Sequence, residues 1–133
     1  MRAVVSAFDD PVVAAVRYLR PYVRRVEGGE PDGKDYDPDE LIVIVQDGGG
    51  AGEYAYQLSD TRLTFEVRSG DRGLAADTAT LVDALIRDWP YRSGGVYYRG
   101  ALSRPTFSPE ADRRIPAYVW TVNLSFRGHS LSV

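Results

Sequence analysis

The chain has no cysteine and one histidine in 133 residues. Without thiols, disulfides and thiolate chemistry are excluded. A single imidazole, His129, leaves a transition-metal site short of ligands. Long apolar runs are also missing, since no stretch approaches the ~20 residues needed to cross a bilayer. The opening Met1–Phe8 has one positive charge and stops at Asp9-Asp10-Pro11. That is too short for a secretory core with a cleavage site, so the expectation is a cytosolic product with no targeting signal.

What is present suits a soluble globular chain: 44% hydrophobic and 26% charged residues. The length predicts a single domain over 1–133, with one core between two layers. The net charge of −3 hides an uneven distribution. Residues 1–86 sum to −7, whereas 87–133 sum to +4, with seven arginines and no lysine. One reading is a solvated surface. The sharper one is complementarity between unlike faces of neighbouring subunits, because Arg is enriched at interfaces and Lys depleted.

Asp10-Pro11 starts a helix. Val12, Val16, Leu19 and Val23 follow at helical spacing until Pro21 interrupts, which predicts helix over 11–20 and a short extended piece at Tyr22–Val26. Residues 27–40 form a loop with two prolines, three glycines and seven acids. Leu41–Val45 is apolar throughout and reads as a strand covered on both faces. A glycine-rich turn region spans Gln46–Gly52, and Glu53–Gln57 can extend into strand.

Thr61–Arg68 alternates, with Leu63, Phe65 and Val67 on one face. A helix is expected from Arg72 to Trp89, with Leu74, Thr78, Leu81, Val82, Leu85, Ile86 and Trp89 as its apolar stripe and Pro90 as its stop. Val96–Ser103 is a strand, Arg104–Ile115 a polar connection and Pro116–Arg127 the last strand. In that strand Tyr118, Trp120, Val122, Leu124 and Phe126 share a face. The tail His129–Val133 is expected to be loosely held. This order, α-β-β-α-β-β, predicts an α+β domain: a mostly antiparallel four- to five-stranded sheet packed by two helices.

No motif for chemistry survives inspection. Gln46–Gly52 follows a strand as phosphate loops do, but it leads to Glu53 and lacks the Gly-Lys-Ser/Thr ending. Asp35, Asp37 and Asp39 open like an EF-hand loop, yet Glu40 stands where the turn needs Gly and Gln46 where a bidentate Glu belongs. Ser6, Ser125 and Ser130 supply hydroxyls, but nothing orients them toward His129, and no nucleophile-elbow sequence is present. Tyr97, Tyr98, Arg99, Arg104 and Tyr118 mix aromatics with arginine as single-strand binders do, on a chain that is acidic overall. The expectation is therefore no enzyme, no cofactor and no metal.

The run Thr61-Arg62-Leu63-Thr64-Phe65-Glu66-Val67-Arg68-Ser69-Gly70-Asp71 leads into a helix containing Ala75-Ala76 and Leu81-Val82-Asp83-Ala84-Leu85. A hairpin follows, ending in Pro116-Ala117-Tyr118-Val119-Trp120-Thr121-Val122-Asn123-Leu124. As an order of elements over most of the chain, this resembles tail terminator proteins of long-tailed, siphovirus-like phages, particularly those of actinobacterial hosts. The resemblance implies an α+β subunit of a homo-oligomeric ring, a hexamer in the family. Such a ring caps the head-proximal end of the tail tube and stops its polymerisation.

The partners so implied are the chain itself, the major tail protein and a head-completion or connector protein. DNA meets the ring only while passing through its lumen, and no membrane is involved. The implied location is the virion tail, with assembly in the host cytoplasm. The family lends no residue motif to carry over. The charge pattern suggests contacts through Asp37, Asp39, Glu40, Asp47 and Glu53 on one side, and Arg62, Arg68, Arg104, Arg113 and Arg114 on the other. Two alternatives stand: a head-closure or connector subunit of the phage neck, and a small ligand-binding domain or hydrolase with a polar pocket.

Overall fold

The computed structural model describes residues 4–29, 37, 39–49, 54–55, 58–108 and 115–132. Its elements run β1 (Val4–Ala7), α1 (Pro11–Leu19), β2 (Val26–Glu27), β3 (Ile42–Asp47), β4 (Tyr54–Ala55) and β5 (Leu58–Arg68). They continue with α2 (Arg72–Arg92), β6 (Val96–Ala101), β7 (Thr106–Ser108), β8 (Ala117–Arg127) and β9 (His129–Ser132). The class is α+β, as expected, but strands are more numerous than α-β-β-α-β-β allows. The main sheet has the path β2-β3-β5-β8-β6, with β4 added on β5 and β7 on β8. Its pairings are antiparallel except β2 on β3.

Centre stage belongs to β5 and β8, paired from Leu58↔Arg127 to Arg68↔Ala117 without a break. Both alternate, so Leu63, Phe65 and Val67 share a face with Trp120, Val122 and Leu124. On that face Phe65 stacks on Trp120 with ring centroids 5.5 Å apart. The two helices pack there, and Val43 and Val45 of β3 complete the core.

Each helix has an aspartate cap. Asp10 accepts from the Val12 and Val13 amides, and Asp71 from those of Gly73 and Leu74. These bonds satisfy amides that a helix start leaves open. Pro90 does not stop α2 as the sequence suggests; the helix runs on to Arg92. In the last turn a proline forfeits one hydrogen bond, and the Ser93 amide still reaches the Trp89 carbonyl at 3.0 Å.

The buried stripe of α2 also differs from expectation. It comprises Ala75, Thr78, Ala79, Val82, Leu85, Ile86 and Trp89, while Leu74 and Leu81 are left exposed. The helix meets the sheet through its small residues Ala75 and Ala79, and that rolls the two leucines outward.

Two further corrections concern segments read as irregular. The connection after β6 contains β7, which pairs with the start of β8. The tail is a strand: β9 pairs with β1 in a separate two-stranded sheet, from Val4↔Ser132 to Ala7↔His129. Gly128 lets the chain pass Phe8, because a Cβ there would come 3.0 Å from the ring and 3.1 Å from the Ala7 carbonyl oxygen.

Candidate interaction surfaces

The second face of the sheet takes the alternate residues of the same strands. On the β3 side it is apolar and closed, with Ile42 and Ile44 fully buried. Beside them, Arg68 donates to Glu66 at 2.7 Å, and both side chains are nearly buried. Arg68 is thus held inside the domain by an internal ion pair.

Towards β6 the same face becomes a polar ladder. The Thr64 and Thr121 hydroxyls meet at 2.9 Å, and Arg62 Nε donates to Asn123 Oδ1 at 3.1 Å. The fully buried Ser125 donates to Asp60 at 2.5 Å and accepts from Arg99 Nε at 3.0 Å. Arg127 donates to the Tyr97 hydroxyl at 2.7 Å. Three arginines and one aspartate therefore stand on this face in three separate hydrogen-bonded sets, with Arg99 and Arg127 exposed.

Asp60, Tyr97, Arg99, Ser125 and Arg127 were not singled out together by sequence. The alternation of β8 places Asn123, Ser125 and Arg127 on one face, but only the strand register brings them to Asp60 and Tyr97. Tyr98 and Tyr118 pack against the core instead, so the aromatics of this region do not form one stacking platform.

The other charged residues that the sequence pointed to are scattered. Asp37 accepts from the Asp39 amide within a turn. The Asp39 carbonyl oxygen accepts from the Gly70 amide, and Glu40 pairs with Arg25 at 3.0 Å. Asp47, at the far end of β3, caps its own turn by accepting from the Gly49 amide at 2.8 Å. Arg104 is exposed beside β7. Glu53, Arg113 and Arg114 lie outside the described residues. Among the described residues, these acids and arginines do not converge.

No protein-family model and no curated protein matches the chain. Among the described residues no three His, Cys, Asp or Glu side chains gather as metal ligands, and no helix is long and apolar enough to cross a membrane.

Two clefts sit along the helices. One, of about 340 Å³, lies where α1 begins and α2 ends; Tyr18, Trp89 and Phe126 form its floor and Asp9, Arg17 and Arg127 its rim. Tyr18 and Trp89 stack there at 4.8 Å and 3°. Another, of about 400 Å³, follows the outer flank of α1 along Val12, Val13 and Val16, with Arg17, Arg20 and Gly28 around it.

Large apolar side chains remain on the surface of this well-filled domain: Leu74, Leu81 and Tyr91 on α2, Val13 on α1 and Leu102 after β6. Scattered exposed apolar residues are ordinary; three of these lie along one face of α2.

Proposed function

We propose that this chain is a structural virion protein of the tail terminator type: a ring-forming subunit that caps the tail tube, ends its polymerisation and joins it to the head connector. The observation that carries the reading is the row of exposed apolar residues on α2, in a domain whose core is already filled. Such a surface works by fitting against protein. The resemblance of the 61–124 segment to terminators of long-tailed phages supplies the kind of protein it fits. The β5–α2–β6–β8 unit would form the rigid body of the subunit, with the exposed loops and helix faces making contacts.

The test is electron microscopy of the purified chain mixed with tubes polymerised from the major tail protein of a long-tailed actinobacterial phage. Rings seated on one end of each tube, with tube growth arrested, are the expected result. Tubes that stay bare and grow as they do without the chain would sink the reading. Rings that bind isolated head connectors and ignore tubes would move it to the head-closure class.

A further inference from the structure

Among the described residues two helix faces remain exposed, and they are chemically unlike. The first is the outer flank of α1. Tyr18 points to α2, where its hydroxyl donates to the Leu85 carbonyl at 2.6 Å. On another side of the helix, Val12, Val13 and Val16 line the groove of about 400 Å³, which Arg17 and Arg20 border along its length and Asp10 at the helix start. Gly28 keeps it open, since a Cβ there would come 3.0 Å from Val12 Cγ1. Arg17, Arg20 and Arg24 are exposed and make no ion pair with any described residue.

The second face is the outer stripe of α2. Leu74, Asp77, Leu81, Ala84, Asp88 and Tyr91 recur at alternating spacings of three and four, which aligns them along the helix. All six are exposed. Leu74 and Leu81 keep 44% and 45% of their surface in solvent, and Tyr91 keeps 87%. Asp77 has no ion-pair partner among the described residues, and Asp88 has only its surface pair with Arg92.

We propose that the α1 groove of one copy receives the α2 stripe of a second copy. The inference rests on the ring reading above and names the contact that would build the ring. Leucines of the stripe match the valine floor, and Asp77 and Asp88 match the arginine border. Spacing agrees at one point of the contact: Val13 to Arg17 and Leu81 to Asp77 are each four residues, about 6 Å of helix. Docking of like faces is disfavoured, because α2 on α2 sets aspartate against aspartate and α1 on α1 sets arginine against arginine. Under the ring reading the contact between unlike faces repeats head-to-tail, and that repetition closes a ring where its rotation allows.

A charge-swap experiment tests this. One variant carries Arg17→Glu and Arg20→Glu; the other carries Asp77→Arg and Asp88→Arg. All four positions are exposed, and circular dichroism checks that both variants fold. Sedimentation of the wild type should show self-association that weakens with added salt. Each variant alone should associate about a hundredfold or more weaker. An equimolar mixture should recover the wild-type species, because alternating copies restore opposite charges at every contact.

A wild-type chain that stays monomeric, variants that assemble as the wild type does, or a mixture that stays dissociated would each overturn the contact. Failure of the contact and of the function are separable. Variants that still form rings and cap tubes keep the terminator reading and lose this interface. A chain that passes the charge swap but ignores tubes keeps the interface and loses the terminator.

Discussion

Tyr18 joins the two helices, with its ring on Trp89 and its hydroxyl on the Leu85 carbonyl. Burial raises its pKa above the ordinary tyrosine value of 10.0; Arg92 opposes the shift, while Tyr22 and Asp88 add to it. Tyr98 is raised as well, by burial first and then by Asp83. In both, the folded state holds the proton more tightly than the unfolded one. Their contribution to stability is therefore complete below pH 10.0 and is lost as pH rises through the folded value. Denaturant melts across alkaline pH should show stability falling above about pH 10, with a shallower fall in Tyr18→Phe. An identical slope in the variant would show that Tyr18 does not carry this effect. The residue identity was plain in the sequence, but Tyr18 lay outside the apolar spacing of α1. Its role depends on α2 arriving beside it.

The boundaries of α1 and its aspartate cap follow from local chemistry and agree with the reading of Asp10-Pro11 and Pro21 to within a residue. The face of α2 was harder to read. Leu74 and Leu81 fit an apolar stripe as well as Ala75 and Ala79 do, and periodicity alone weighs the leucines more heavily. Tertiary packing chose the alanines, because a small side chain brings the helix backbone closer to the flat surface of β5 and β8. Ala79 is 1% exposed. Ala79→Leu should overpack this contact and cost about 1–3 kcal/mol in urea unfolding. Ala84→Leu, on the exposed stripe, should change stability by less than about 0.5 kcal/mol. Equal effects at both sites would contradict the packed face assigned here.

Across the whole molecule, the long β5–β8 pairing is the structural spine, and β1–β9 is a small sheet apart from it. Every residue of β9 is exposed. Local opening costs least where few apolar contacts are lost. Amides paired between β1 and β9 should therefore exchange with solvent at least about a hundredfold faster than those of Leu63, Phe65 and Val122 in the native state. Equal protection would mean that the two sheets open as one unit.

By itself the sequence determined the α+β class, the two helices, their starts and the inward faces of β5 and β8. Each follows from short-range physics: caps, proline geometry and the periods of helix and strand. Pairing of the two ends of the chain, the run of α2 through Pro90 and the exposure of its leucines were decided only by tertiary structure. So was the array linking Asp60 and Ser125 to Arg99. These depend on strand register and on how closely two layers approach, which bring together residues that no local pattern connects. The same holds for the proposed contact surface: its leucines fit a core stripe by period alone, and only tertiary packing leaves them exposed.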